Sequence, residues 1–171
     1  SFANTSWFPR KKYLRSLERI GVDHDVPLFW MDDVNDSKTV TFLRERAPDF
    51  IVTNFFSQVV KKDVLGVPRK GLVNVHAGML PQYSGLLPAF WALANGEREA
   101  GVTIHYIDAG VDTGPIIDYK RFPIYEHDTF FSLWRRSSHQ GYQLLARFFA
   151  KAKRGKHPTP AMLSARKKRD A

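Results

Sequence analysis

Two short runs of apolar and β-branched residues, 50–53 and 72–75, most constrain the fold of this chain. Runs of this length without polar alternation are typical of strands that are buried on both faces, as in sheets covered by helices. Segments with helical periodicity or helix-capping residues separate these runs from further strand-like runs. The alternation predicts an α/β domain with an open, mainly parallel sheet and helices on both faces.

The element boundaries follow from periodicity, capping residues, and glycine or proline stops. The predicted helices cover residues 10–20, 37–46, 59–65, 88–94 and 129–153. The predicted strands cover residues 26–31, 50–53, 72–75, 102–107, 115–119 and 121–124. We find no internal repeat, and no linker precedes the C-terminal segment.

A length of 171 residues corresponds to one domain with a sizeable core. The chain contains no cysteine, which excludes disulfides, thiolate metal ligands and a cysteine nucleophile. The six histidines show no clustered ligand spacing, so we predict no metal site. No run of about 18 apolar residues occurs, so we predict no membrane span. We expect a cytoplasmic protein.

The chain is strongly basic, because 26 Lys and Arg residues against 17 Asp and Glu residues give a net charge of +9. Such a charge favours a nucleic-acid partner when the basic residues share one face. Residues 151–171 hold eight basic residues and one acidic residue, which leaves the preceding part nearly neutral. We therefore interpret residues 154–171 as a solvated basic C-terminal tail after a domain at residues 1–153, and we expect no nucleic-acid partner.

The candidate chemistry lies between residues 71 and 118. Asn74 and His76 are two residues apart, so they project to the same face at the carboxyl end of a predicted strand. An amide beside an imidazole can stabilise negative charge on a carbonyl oxygen. Asp112, in a glycine-flanked loop, is a candidate to raise the pKa of His76. On the pattern alone, the alternative is that Asn74 ends the strand, His76 is a polar surface residue and Asp112 is a turn residue.

Three separated blocks of sequence resemble the folate-dependent formyltransferase family. They are NVHAGMLPQYSG at residues 74–85, GVTIH at residues 101–105 and DTGPII at residues 112–117. The resemblance implies a Rossmann-like open sheet. It also implies an enzyme that transfers a formyl group from 10-formyltetrahydrofolate, its co-substrate, to a primary amine, without a metal.

The resemblance also assigns roles to residues. It implies that Asn74 and protonated His76 bind the oxyanion of a tetrahedral intermediate, while Asp112 keeps His76 charged. Main chain from residues 55–60 and 107–111 matches the segments that bind the pterin ring in the family. The predicted donor-binding residues are Phe56, Ser57, Gln58, Val59, Ile107, Asp108 and Val111.

Other residues of these blocks are left with different expectations. Core packing is the expected role of at least one of Phe55 and Phe56, and His105 is assigned no role. Gly78 stands where the family usually has Ser, and Ser84 stands where many members have Arg, which leaves the acceptor contacts open. The opening strand and helix of the family have no counterpart before Lys11, so we expect the first βα unit to be missing here.

Several functions remain open at this point. Residues 87–91 and 101–106 are similar to family members that formylate amino sugars or other small amines, so we expect a small-molecule amine acceptor, such as a nucleotide-linked amino sugar. The first alternative is a 10-formyltetrahydrofolate hydrolase of the same fold, in which water replaces the amine. The second is a basic nucleic-acid-binding module. The sequence does not fix the oligomeric state, and a homodimer is among the expectations.

Overall fold

The structure is a computed structural model that describes residues 10–169, with side chains described for residues 16–165. The chain divides into two compact units, residues 1–32 and residues 33–171. This division differs from the boundary predicted between residues 153 and 154. Residues 1–9 of the predicted domain and residues 170–171 of the predicted tail lie outside the described residues.

The smaller unit contains helix α1 (Arg10–Asp23), which continues past the predicted stop at Gly21. The chain then folds back, and the amide of Val26 donates to the carbonyl of Gly21 over 2.8 Å. A Cβ at Gly21 would lie only 2.8 Å from the Val26 carbonyl oxygen, so this approach requires glycine. The strand predicted at residues 26–31 is wrong. A strand needs a neighbour to pair its backbone groups, and the described sheet provides none for this segment.

The larger unit contains the remaining elements. The strands are β1 (Phe50–Asn54), β2 (Gly71–His76), β3 (Glu99–Tyr106) and β4 (Ile116–Pro123). The helices are α2 (Ser37–Glu45), α3 (Lys62–Leu65), α4 (Pro88–Ala94), α5 (Phe130–Ala152) and α6 (Pro160–Arg169). The side chains of Asp36 and Thr129 accept hydrogen bonds from backbone N–H groups in the first turns of α2 and α5, and so cap these helices.

Three predicted elements of the larger unit differ from the observed ones. The strands predicted at residues 115–119 and 121–124 form the single strand β4, because Lys120 stays in the ladder opposite Val102. The helix predicted at residues 59–65 is reduced to the one turn of α3. The side chain of Asn35 holds the start of that segment extended, because it donates to the Val59 carbonyl and accepts from the Lys61 amide.

The four strands lie in the order β1-β2-β3-β4. Strands β1 and β2 pair in parallel, whereas β3 is antiparallel to both of its neighbours. Three strands therefore point the same way and β3 runs against them. The predicted α/β class is confirmed, and the prediction of a mainly parallel sheet describes strand direction but not pairing. A short connection joins β3 to β4, and short connections join antiparallel neighbours.

Helices cover both faces of the sheet, as predicted. Helix α5 packs on one face through a core of Val73, Val75, Val102, Ile104, Tyr106, Leu144 and Phe148. Helices α2 and α3 pack on the other face through Val40, Val60, Val64 and Leu72. Gly141 brings α5 close to the sheet, because a Cβ there would lie 2.5 Å from a methyl group of Val75.

The segment after α5 packs against the core of the larger unit, whereas the sequence predicts a solvated tail there. The hydroxyl of Tyr106 donates to the carbonyl of Pro158 over 2.9 Å. Leu163 of α6 packs against the core cluster under α5. Residues 158–163 are thus attached to the core. No helix among the described residues combines the length and the apolar character needed to cross a membrane.

Candidate active site

Strand β2 carries the centre of the candidate site. Its residues alternate between the faces of the sheet, so Asn74 and His76 share the face of Leu72, while Val73 and Val75 face α5. The register places Asn74 between Thr53 of β1 and His105 of β3. A row of three polar side chains therefore crosses three neighbouring strands at this point.

The loop after β2 is pinned to the sheet by Thr103, which lies opposite His76. The Thr103 hydroxyl donates to the carbonyl of Gly78 over 2.7 Å and accepts from the amide of Leu80 over 3.2 Å. The loop then returns over His76, where the carbonyl oxygen of Tyr83 lies 2.6 Å from Nε2 of the imidazole. Because a carbonyl oxygen only accepts, Nε2 carries a proton and donates it to Tyr83.

Asp112 joins the two histidines. Its Oδ2 lies 3.4 Å from Nδ1 of His76, and its Oδ1 lies 3.4 Å from Nε2 of His105. The amide of Gly85 donates to Oδ2 over 2.8 Å. Asp112 has a φ of +54°, a conformation that asparagine and aspartate adopt more readily than most residues. The structure thus brings together all three predicted catalytic residues: Asn74, His76 and Asp112.

The site is buried, which shifts both ionisation equilibria. Burial lowers the pKa of His76 below its ordinary value, and the nearby Asp112 carboxylate and Tyr83 carbonyl offset only part of that effect. Burial raises the pKa of Asp112, but the neighbouring His105 and His76 side chains and the Gly85 amide together lower it. The carboxylate of Asp112 therefore favours the charged form of His76, as the resemblance implies, whereas burial of the imidazole disfavours it.

The two segments predicted to bind the donor lie side by side. Val60 and Ile107 belong to the same core cluster, which joins residues 55–60 to residues 107–111. Around that contact, Phe55, Phe56, Val59 and Val111 are between 38 and 60% exposed. The expectation that Phe55 or Phe56 packs in the core is wrong, although the Phe55 ring contacts Trp134 at 4.8 Å. An apolar surface made by two loops fits a flat aromatic ring system.

The polar residues of these segments brace the loops. The side chain of Gln58 accepts from the amide of Val34, and Ser57 is exposed. The carboxylate of Asp108 accepts from the Gly110 amide and the Thr113 hydroxyl. The Asp108 side chain therefore stabilises its own turn.

Two residues that the sequence left without a role belong to the site. Thr53 donates its hydroxyl to Oδ1 of Asn74 over 2.8 Å, and Nδ2 of Asn74 lies 3.2 Å from Nε2 of His105. His105 is 1% exposed. Alternation along β3 predicts that the His105 side chain lies on one face of the sheet. Only the observed register shows that this is the face of Asn74. Among the described residues, no group of three or more His, Cys, Asp or Glu side chains is arranged to hold a metal ion.

Comparison with known proteins agrees with the three sequence blocks. The family described as formyl transferase matches residues 17–149. The methionyl-tRNA formyltransferase of Pelobacter propionicus is 39% identical over 130 residues, which are 76% of this chain and 41% of that protein. The chain therefore spans about two fifths of the length of this curated relative.

Solved structures show the same fold. Glycinamide ribonucleotide transformylase 1 from Symbiobacterium toebii superposes with a TM-score of 0.69 at 29% identity, over 80% of this chain and 68% of that one. The N-formyltransferase from Helicobacter canadensis, solved with folinic acid and dTDP-3-aminofucose, gives 0.55 at 32% identity, over 61% and 38%. The predicted Rossmann-like fold is confirmed. The family match covers residues 17–149, which are most of this chain, and the chain therefore belongs to the formyl transferase family.

Proposed function

We propose that this protein transfers a formyl group from 10-formyltetrahydrofolate to the primary amine of a small acceptor. The observation that carries the proposal is the meeting of Asn74, His76 and Asp112 on one buried face, next to the apolar surface of residues 55–60 and 107–111. Membership of the formyl transferase family supports the reaction class.

The proposed reaction begins with attack of the amine nitrogen on the formyl carbon. The carbonyl π electrons move to oxygen, and the resulting oxyanion accepts from Nδ2 of Asn74 and the Nε2–H of His76. Both donors stand on one strand, two residues apart, so they are held in place before the substrate arrives. Collapse of the intermediate breaks the bond from carbon to the folate nitrogen and releases the N-formyl product.

Protons balance if one leaves the attacking amine and one reaches the departing folate nitrogen. Asp112 is the proposed carrier, because its carboxylate is ionised and lies beside His76. It takes the proton of the amine, directly or through water, and returns it to the leaving nitrogen. The reaction therefore needs no net acid or base from solution.

The pterin ring of the donor is proposed to lie on Phe56, Ser57, Gln58 and Val59 from one loop and on Ile107, Asp108 and Val111 from the other. Its polar edge would bond main-chain groups, since the Asp108 side chain is already committed to its own turn. The exposed side chains of Phe56, Val59 and Val111 supply apolar contact.

The acceptor is proposed to be a small amine such as a nucleotide-linked amino sugar. The 32% identity with a protein solved with dTDP-3-aminofucose supports this class. A second candidate acceptor is an aminoacyl-tRNA, favoured by the 39% identity with a methionyl-tRNA formyltransferase and by the basic C-terminal residues. The expectation against nucleic acid and the expected homodimer both remain predictions.

The test is a tetrahydrofolate-release assay with the purified protein, 10-formyltetrahydrofolate and one acceptor at a time. The acceptors are dTDP-3-aminofucose, glycinamide ribonucleotide and methionyl-tRNA, and one reaction contains no amine. Turnover that requires the amino sugar supports the proposal, and turnover with methionyl-tRNA alone supports the second acceptor. Turnover without any amine identifies a hydrolase. No turnover and no folate binding by ligand-detected NMR would refute the proposed function.

A further inference from the structure

The amide of Asn74 must point its NH2 group, and not its oxygen, at a developing oxyanion. An amide side chain can present either end, because rotation by 180° exchanges two groups of similar size. Contacts with neighbouring residues must therefore determine which of the two orientations the amide adopts. The partners of Asn74 in the adjacent strands are Thr53 and His105.

The first of these contacts is with His105. Its Nδ1 lies 2.8 Å from the carbonyl oxygen of Tyr106, which only accepts, so Nδ1 carries the proton. In the neutral ring Nε2 is then an acceptor, and it takes a bond from Nδ2 of Asn74 over 3.2 Å. With Nδ2 on the His105 side, Oδ1 of Asn74 faces β1.

The second contact is with Thr53. Its hydroxyl donates to Oδ1 of Asn74 over 2.8 Å, and the threonine is 8% exposed, so water does not readily replace this bond. The two partners agree on one orientation, and the second N–H of Nδ2 remains available to a substrate.

We propose that Thr53 is a positioning residue that fixes the amide orientation of Asn74 for oxyanion binding. The inference rests on the proposed function, because it assigns Thr53 to the same reaction. Threonine on a buried strand would ordinarily be exchangeable with valine, which has nearly the same shape and high strand propensity. Here the hydroxyl itself matters.

The test compares Thr53→Val with Thr53→Ser in steady-state kinetics. We expect Thr53→Val to lower kcat by roughly three- to tenfold, the effect of one hydrogen bond, with little change in KM for the donor. Thr53→Ser should restore most of kcat, because serine keeps the hydroxyl. Thr39→Val is the matched control, since Thr39 is 7% exposed on α2 and is not a partner of Asn74.

A double-mutant cycle shows whether Thr53 acts through Asn74. In an Asn74→Ala background, Thr53→Val should cause no further loss of kcat. A loss as large as in the wild-type background would overturn the proposal, as would an unchanged kcat in Thr53→Val.

An activity-free measurement separates this inference from the proposed function. In ¹⁵N-labelled protein, Thr53→Val should shift the side-chain NH2 resonances of Asn74, and Thr53→Ser should shift them less. If no acceptor is formylated, the proposed function fails, and these resonances still decide the role of Thr53. Unchanged Asn74 side-chain resonances in Thr53→Val would contradict it.

Discussion

The main-chain oxygen of Tyr83 lies 2.6 Å from Nε2 of His76, and this contact fixes which imidazole nitrogen carries a proton. The carbonyl only accepts, so the Nε2–H is present in the neutral ring as well as in the charged one. His76 can therefore donate to an oxyanion even though burial lowers its pKa. In the proposed reaction, the incoming oxyanion would replace the Tyr83 carbonyl as the acceptor of this N–H.

Replacement of His76 by alanine removes one of the two proposed oxyanion donors. We expect His76→Ala to lower kcat by about 10²–10³, the usual effect of losing one such donor. The tetrahydrofolate-release assay measures this effect. His139→Ala is the control, because His139 is exposed on α5 and bonds to Gln143. A His76→Ala enzyme within threefold of wild type would contradict the assigned role.

The pKa of His76 should fall further when its carboxylate partner is neutralised. Asp112 is the largest influence that raises this pKa, and burial is the opposing influence that lowers it. We expect the wild-type imidazole to titrate below 6.5, its ordinary value, and to titrate at still lower pH in Asp112→Asn. NMR titration of the imidazole C–H resonances measures both values.

The same shift has a consequence for stability. Because the pKa of His76 is lowered in the folded chain, the unfolded chain binds more protons between that pKa and 6.5. This residue therefore makes the free energy of unfolding rise with pH in that window.

In the NMR titration, Asp118→Asn is the control for Asp112→Asn, since Asp118 bonds only the neighbouring amide of Tyr119 in the described contacts. A His76 that titrates higher in Asp112→Asn than in wild type would reverse the argument.

The sequence predicted most of the site because its chemistry is local. Asn74 and His76 follow from strand alternation, and Asp112 lies in a loop whose motif is recognisable. The contributions of Thr53 and His105 were not predicted, because they depend on the register of β2 with two neighbouring strands. No local pattern fixes register between segments that are distant in the chain.

The fold was predictable to a similar degree and for similar reasons. Elements with caps or continuous apolar runs, such as α2 and β2, were predicted within one or two residues. The strand predicted at residues 26–31 failed, because an apolar run becomes a strand only where another strand pairs with it. The effect of burial on the pKa of His76 could not be predicted either, since burial depends on tertiary packing.

Acid should weaken one ion-pair cluster in a defined pH range. Asp128 accepts from the Tyr125 amide, the Ser132 hydroxyl and two N–H groups of Arg136. Burial raises the pKa of Asp128, but these bonds outweigh it and lower the pKa to about 2.

Because the pKa of Asp128 is lower in the folded chain than its ordinary value of 3.8, the ionised carboxylate stabilises the fold when the pH is above 3.8. That stabilisation is lost as the pH falls through about 2. Asp128→Asn should therefore lower the free energy of unfolding at pH 7 by about 1 kcal/mol. The difference from wild type should narrow between pH 4 and pH 2 in urea unfolding. A difference that does not depend on pH would exclude the charge as its cause.

Donor binding should depend on the exposed aromatic residue of the first loop. Phe56 is 39% exposed at the proposed pterin surface, so Phe56→Ala should raise KM for 10-formyltetrahydrofolate roughly three- to tenfold through lost apolar contact. The change in kcat should be smaller, because Phe56 is not one of the proposed oxyanion donors. Phe131→Ala is the control, since Phe131 is 53% exposed on α5. Equal effects of the two variants on KM would argue against this surface.

Gly78 should be intolerant of any side chain, because it lies between the start of α4 and His76. A Cβ at this position would lie 2.5 Å from Cβ of Pro88 and 3.1 Å from Nε2 of His76. Gly78→Ala must displace the start of α4 or the imidazole, so we expect a loss of about 1–3 kcal/mol in the free energy of unfolding. We also expect kcat to fall, because the displaced imidazole is the proposed donor. Gly66→Ala is the control, since its nearest new contact is 3.6 Å away. Gly78→Ala with wild-type stability and wild-type kcat would show that the loop after β2 adapts without moving His76.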